Sequence, residues 1–417
     1  MIVFKFGGAS VKDSNGVRNL LNIVKTCSDN LIIVISALGK TTNALEEILK
    51  LSFNDSKESK LKLESLKDYH FEIINDLFPH KKHEIHNQIE EQFKNLSLEL
   101  YNNKHDSYDF KYDQVVSFGE IFSTKIVSAF LNSQDFSNKW IDIRKVVITN
   151  DTYREAKIDM DLSKAEAKES FSFKNANIYL TQGFIGGSKK GFVTTLGREG
   201  SDYTAAVLAN LLDAEKVVVW KDVEGILNAD PQYFKVDGKL DQISYQEAVE
   251  LAYFGAKVIH PKTLKPLHNK NIPLYVRSFI DPEGQGTEID CFHKYDQDLP
   301  IFILKQNQML ISLFPKDLSF VMEDELSKIF SYLSEQRIRV NLIQNSAISF
   351  SLCIDNANSK SKQLIEKLKG DYKVLYNDNL ELLTIRHYSE EAIKKVTEGR
   401  KIYIEQRSRH TSHFVIR

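Results

Sequence analysis

The chain has 417 residues, 42% hydrophobic and 27% charged, with a formal charge of −2; this allows sizeable cores in two or three domains and excludes a strongly basic nucleic-acid-binding field. Eighteen glycines and eight prolines exclude collagen-like and linker-rich classes. Cys27, Cys291 and Cys353 form no C-x-x-C pair, which argues against a disulfide framework or a cysteine zinc site and fits a reducing compartment.

The first apolar run breaks at Gly7, too short for a signal peptide. Runs such as 31–35 and 217–220 are strand-length, far below the ~18 residues of a membrane helix. A soluble, cytoplasmic protein is expected, with no membrane or nucleic-acid partner.

In chain order, β-rich runs predict strands and amphipathic windows predict helices. Strand 2–6, helix 11–26, strand 31–35 and helix 42–51 give the rhythm of a parallel sheet covered on both faces. Residues 54–112 turn polar, with Leu61, Leu63, Leu66, Ile73, Ile74 and Leu77 at helical spacing, and predict a helical insertion or lid. Its triplet His80, His83 and His86 is interrupted by Lys81 and Lys82 and reads as a solvated face, so no metal site is assigned.

The α/β rhythm returns with strand 115–116, helix 120–131, and strands 140–143, 178–180 and 193–195. Helix 202–211, strand 217–220, helices 245–254 and 261–270, and strand 274–277 follow. Residues 278–286, with Asp281-Pro282 and two glycines, end this layer. Beyond Pro300 come strand 309–313, helix 323–336, strands 340–344 and 348–355, helix 360–369 and strand 374–375. A similar set then begins: strand 380–385, helix 389–398, strands 401–405 and 413–416. These are two small α+β modules, intertwined if 301–304 completes the second.

Six segments carry candidate chemistry. In Lys5-Phe6-Gly7-Gly8-Ala9-Ser10 two glycines let the backbone approach a phosphate and Lys5 adds a cation, although by itself the Gly-Gly pair favours a strand-ending tight turn. Ser36-Ala37-Leu38-Gly39-Lys40-Thr41-Thr42-Asn43 offers hydroxyls or a helix cap. In Ser117-Phe118-Gly119-Glu120 the glutamate suits a helix start or a substrate ammonium. Thr194-Thr195-Leu196-Gly197-Arg198-Glu199-Gly200-Ser201-Asp202 sets an arginine between glycines ahead of a helix; a guanidinium matches a carboxylate bidentately, so an anionic substrate fits. The fifth segment runs from Trp220-Lys221-Asp222 through Leu227 to Asp230-Pro231. The sixth is Phe254-Gly255-Ala256-Lys257-Val258-Ile259-His260-Pro261.

In this order and spacing the six segments closely resemble the aspartate kinases of the amino-acid kinase family. The resemblance implies an amino-acid kinase catalytic domain at 1–290, a largely parallel sheet with helices on both faces and the helical insertion at about 54–112. Tandem ACT regulatory domains would follow at 301–417. It implies ATP-dependent phosphorylation of the β-carboxylate of L-aspartate to 4-phospho-L-aspartate, the opening step of lysine, threonine and methionine synthesis, with Mg²⁺ accompanying ATP. On this reading Lys5, Asp202 and Lys257 are catalytic. Lys5, Gly7, Gly8, Lys221, Asp222, Leu227 and Lys257 hold the nucleotide. Arg198 clamps the α-carboxylate of aspartate, Glu120 its ammonium, and Ser36, Thr42 and Ser201 orient the rest. Leu227 stands where relatives often carry Tyr and Gln232 where they often carry Arg, so nucleotide affinity is expected to change more than activity. Glu199 fills the variable position of the arginine loop.

For the ACT region the resemblance implies a homodimer and an amino-acid effector, lysine or threonine, bound near 316–325 and 340–346, with Asn341, Leu342, Asn345 and Ser346 as contacts. Lysine-sensing relatives typically carry Asp where this chain has Asn341, so weakened lysine feedback or a different effector is expected. The alternatives are an effector-binding regulatory subunit and a kinase for another acidic amino acid. The length is expected to leave no room for a fused homoserine dehydrogenase.

Overall fold

The computed structural model describes residues 1–79, 83–101, 107–256, 259–291, 299–317, 320, 323–357 and 359–417. The elements begin β1 (Ile2–Phe6), α1 (Ser14–Lys25), β2 (Leu31–Ile35), α2 (Thr41–Asn54), α3 (Ser56–Leu77), α4 (Ile85–Tyr101), α5 (Tyr108–Val116) and α6 (Phe118–Ser133). Next come β3 (Lys139–Ile141), β4 (Ile148–Thr149), α7 (Met160–Ser170), β5 (Ile178–Gln182), β6 (Ile185–Ser188), β7 (Val193–Thr195), α8 (Gly200–Leu211) and β8 (Lys216–Lys221). Then follow β9 (Ile226–Leu227), β10 (Lys239–Leu240), β11 (Gln242–Ser244), α9 (Tyr245–Phe254), α10 (Pro261–His268), β12 (Leu274–Ser278) and β13 (Thr287–Asp290). The last set is β14 (Ile301–Pro315), α11 (Glu323–Glu335), β15 (Val340–Ser346), β16 (Ser349–Asp355), α12 (Ser359–Leu368), β17 (Tyr372–Arg386), α13 (Glu390–Thr397), β18 (Ile402–Arg407) and β19 (Thr411–Ile416).

Contacts divide the chain into two units: 1–226, 240–249 and 258–295 in the first, 227–239, 250–257 and 296–417 in the second. The second unit thus takes two segments from before residue 290. Within it, Phe302 N–H donates to Asn228 O (2.8 Å), and Ala229 and Phe234 pack with Phe302, Leu383 and Phe414.

The first unit holds an eight-stranded sheet in the order β11-β13-β12-β8-β1-β2-β5-β3. Pairings are parallel except β12 with β13. All five residues of β1 and of β2 are buried; successive side chains point to opposite faces, so both faces are covered. β1 lies between β2 and β8, where the strand order reverses. In such sheets the loops at the carboxyl ends of the strands beside that reversal form the ligand crevice.

Two expectations need correction. Residues 115–116, expected as a strand, end helix α5: two buried valines cannot distinguish a strand from the inner face of a helix. Helix α7 was unforeseen because only Ser163 and Ala167 are buried, too thin a stripe to read; Asp159 starts it by accepting the Leu162 N–H (3.2 Å). The 54–112 segment is helical, as expected, through α3, α4 and α5. His80 lies outside the described residues; His83 packs on the Phe78 ring and His86 bonds Asn75.

The second unit's sheet runs β15-β16-β14-β17-β19-β18. The long strands β14 and β17 pass through both modules. Ile301 pairs with Arg386 and Leu304 with Leu383 in one, and Ile311 pairs with Leu352 and Tyr376 in the other. The modules are therefore intertwined through residues 301–304.

Candidate active site

β1 delivers Lys5 to the carboxyl end of the central sheet, where its side chain is buried. Its Nζ lies 2.5 Å from Asp202 Oδ1, and Lys221 Nζ, from the end of β8, lies 3.4 Å from Asp202 Oδ2. Burial pushes the Asp202 carboxyl up, but the two lysines outweigh burial and hold it below the usual carboxylate range. One ionised carboxylate thus organises two ammonium groups. Asp202 sits in the first turn of α8, which begins after Gly197 (φ +76°) and Glu199 (φ +52°) and has no side-chain cap. Its amino end leaves N–H groups for an anion.

The first two glycine motifs meet backbone to backbone. Gly8 O accepts the Gly39 N–H (3.0 Å). A Cβ on Gly8 would stand 2.6 Å from Ala37 O and 2.8 Å from Gly39 O, so only glycine permits this approach. Behind it, the Gly7 carbonyl accepts Ser10 N–H (3.1 Å) and Val11 N–H (3.3 Å), closing the turn.

Glu120, two residues into α6, is 2% exposed and its Oε2 has no partner among the described residues. Burial pushes its carboxyl up to about 8, while the N–H groups of Glu120 itself and Ala37 and the Thr42 hydroxyl pull it part of the way back. A buried carboxylate with an unfilled oxygen favours a cation, and an ammonium supplies one. Thr42 and Ala37 belong to the second motif, so the structure brings the second and third motifs together. Ser201 is buried against Gly183, where a Cβ would come 2.4 Å from its own.

Among the other expected site residues, Ser36 and Thr42 are half-buried, while Arg198 and Asp222 are exposed. Leu227 belongs to the second unit and is half-buried. Lys257 lies outside the described residues. In the second unit Asn341 and Leu342 are buried, and Asn345 and Ser346 are exposed. Asn341 bonds inward: Lys305 Nζ donates to its Oδ1 (2.9 Å), and its Nδ2 donates to Gln308 Oε1 and Asp355 Oδ1 (2.8 Å each).

Sequence reasoning missed the supports. His70 is fully buried under the second motif, Nδ1 toward Leu66 O (2.8 Å) and Nε2 toward Thr41 Oγ1 (3.5 Å); burial pushes it down to about 4, so it stays neutral. Gln182, buried at the end of β5, accepts the Ile143 N–H (2.9 Å) and donates to Thr124 Oγ1 (3.0 Å). Neither lies in a glycine-marked motif, so only their burial reveals them. Among the described residues no three His, Cys, Asp or Glu side chains gather as a metal site, and no helix is long and apolar enough to cross a membrane.

The amino acid kinase family model matches residues 1–278. Lysine-sensitive aspartokinase 3 of Escherichia coli (strain K12) is 34% identical over 366 residues, 87% of this chain and 80% of that protein. Aspartokinase 1, chloroplastic, of Arabidopsis thaliana is 31% identical over 88% of this chain and 65% of its own length. Two structures of E. coli aspartokinase III match with a TM-score of 0.83 over the whole chain. One, in complex with lysine and aspartate (T-state), is 31% identical with 95% of its chain covered; the other, in complex with aspartate and ADP (R-state), is 30% identical with 96% covered. With its motifs joined at the reversal of a parallel sheet and with these relatives, the chain belongs to the amino acid kinase family, among its aspartokinases.

Proposed function

We propose that the chain transfers the γ-phosphoryl group of ATP to the β-carboxylate of L-aspartate, giving ADP and 4-phospho-L-aspartate. The observation that carries this reading is the pairing of two functions at one sheet edge: lysines organised by Asp202 beside a glycine loop, and the buried, unfilled carboxylate of Glu120. The relatives' complexes with aspartate and ADP support it.

The chemistry needs no general base, since a β-carboxylate with an ordinary pKa near 3.9 is ionised at neutral pH. The barrier is the repulsion of two anions, offset by fixed cations and N–H donors. Lys5 neutralises charge on the transferring group, and Asp202 holds Lys5 and Lys221 so that neither must be gathered during the reaction. Gly7 and Gly8 admit the phosphates to the backbone. Glu120 takes the substrate ammonium and Arg198 the α-carboxylate, which leaves the β-carboxylate as the free end. Lys221, Asp222 and Leu227 are assigned to the nucleotide and Lys257 to its phosphates. Ser36, Thr42 and Ser201 orient the acceptor.

Mg²⁺ enters with ATP. The donor set fits an ion carried by the phosphates, with Asp202 the carboxylate at hand, because Mg²⁺ binds through one or two carboxylates plus substrate phosphates. When bound it would supply charge neutralisation on the phosphates.

The second unit serves as a regulatory, dimer-forming module that binds lysine or threonine near Asn341, Leu342, Asn345 and Ser346; relatives sensitive to lysine support the effector class. With Asn341 neutral and internally bonded, lysine inhibits weakly or threonine replaces it. Strong inhibition by millimolar lysine contradicts this. The protein works in the cytoplasm.

A coupled ADP-release assay with Mg²⁺-ATP and aspartate, glutamate or N-acetylglutamate tests the activity. Release is expected with aspartate; release with glutamate alone overturns the substrate.

A further inference from the structure

The carboxylate of Asp113, on α5, is fully buried, and none of the chemistry above uses it. Its Oδ1 accepts the Thr195 hydroxyl (2.7 Å) and its Oδ2 the Thr195 N–H (2.8 Å). Both oxygens also face the N–H of Arg154 (3.1 and 3.0 Å). One residue on, Gln114 Nε2 donates to Val193 O (2.8 Å), and the Val193 N–H donates to Gln114 Oε1 (3.2 Å). Side chains of a helix thus bind the main chain of β7 where a neighbouring strand would.

This clasp joins two parts of the acceptor site. Thr195 ends β7 three residues before Arg198. The intervening Leu196 is fixed on both sides, its N–H to Phe184 O and its carbonyl to Lys262 Nζ (2.8 Å each). On the other side Asp113 precedes Glu120 by seven residues. Helices α5 and α6 meet at Ser117, itself helical at φ −59° and ψ −24°, so no flexible linker separates them. Arg154 occupies the left-handed region at φ +69°, which a non-glycine residue seldom adopts. It is held there by Asp113 at its N–H and by the Tyr112 ring 4.2 Å from its guanidinium. Strain of this kind persists where surrounding contacts over-determine it, commonly beside a binding site.

We propose that Asp113 is a positioning residue of the acceptor site: it fixes the loop bearing Arg198 relative to the helix bearing Glu120, keeping the two groups assigned to the amino acid's carboxylate and ammonium in register. The inference rests on the acceptor-site reading above.

Steady-state kinetics of the full chain tests it with Asp113→Asn, which turns one acceptor atom into a donor facing donors, and Thr195→Val, which removes the hydroxyl and keeps the main-chain bond. In both, KM for aspartate is expected to rise about tenfold while KM for ATP stays within about twofold. The double variant is expected to be no worse than Asp113→Asn, since the shared bond is lost only once. Should Asp113→Asn fail to fold, Thr195→Val carries the test. Equal rises in both KM values, or lowered thermal stability with neither KM moved, overturn the proposal. If the unaltered chain phosphorylates a different acidic amino acid, the substrate reading alone fails, and the same split measured on that acceptor decides the role of Asp113.

Discussion

Lys5 and Asp202 approach to 2.5 Å across the amino end of α8, and the second oxygen of the same carboxylate lies 3.4 Å from Lys221. A buried ion pair of this kind contributes little net stability, because desolvation offsets the attraction. On the proposed mechanism its value is that two cations stand ready before the nucleotide arrives. Asp202→Asn is expected to lower kcat on the order of 10²-fold, as loss of one preorganised electrostatic group does, while KM for aspartate changes less. It also leaves the Lys5 ammonium buried without its counter-ion, at about 3 kcal/mol. Single-turnover rates and a urea midpoint measure the two effects separately.

Glu120 gives a pH prediction with a definite sign. Its folded-state carboxyl is raised from 4.5 to about 8, so without substrate the folded protein keeps a proton that the unfolded chain releases. That contribution to stability is complete below about pH 4.5 and is lost as pH rises through about 8. A bound ammonium favours the ionised form, so aspartate binding is expected to expel a proton near pH 7. Calorimetry in buffers of different ionisation enthalpy measures this. Glu120→Gln is expected to abolish the release and raise KM for aspartate at least about tenfold.

Gly8→Ala places a methyl 2.6 and 2.8 Å from two backbone carbonyls of the neighbouring loop. Backbone cannot swing aside as a side chain can, so the two loops must separate. A loss of about 1–3 kcal/mol and of most ATP turnover is expected. An unchanged melting temperature with normal turnover would contradict the packing of the first motif on the second.

In the second unit, Asn341→Ala removes the hub of the bonds to Lys305, Gln308 and Asp355. Gln308 is buried, Lys305 half-buried and Asp355 exposed, so the loss falls mainly on the Gln308 side-chain carbonyl and costs about 1 kcal/mol, read as a lower denaturation midpoint.

The sequence discloses the parts of this molecule that have strong local signatures. β2 is an unbroken apolar run and β1 is interrupted only by Lys5, and α9 starts and stops at Tyr245 and Phe254 as its pattern predicts. The glycine motifs mark the sheet edge because close backbone approach leaves glycine no substitute. Weak periodicity hides α7, and the two valines of α5 satisfy either period. The supports at His70, Asp113 and Gln182 are ordinary polar residues whose importance arises from partners 29, 82 and 58 positions away. Spacing along the chain carries no trace of such pairs. The assignment of 227–239 and 250–257 to the second unit is hidden for the same reason: it depends on contacts such as Phe302 with Asn228.

Chemical trapping tests the central claim most directly. An acyl phosphate formed on aspartate reacts with hydroxylamine to give a hydroxamate, whose mass and fragmentation identify the carboxyl group that was phosphorylated. With Mg²⁺-ATP and aspartate the account expects β-aspartyl hydroxamate in step with ADP release, and on the order of 10²-fold less from Asp202→Asn. ADP release from well-folded protein with no aspartyl hydroxamate, or hydroxamate only from another amino acid, would contradict it.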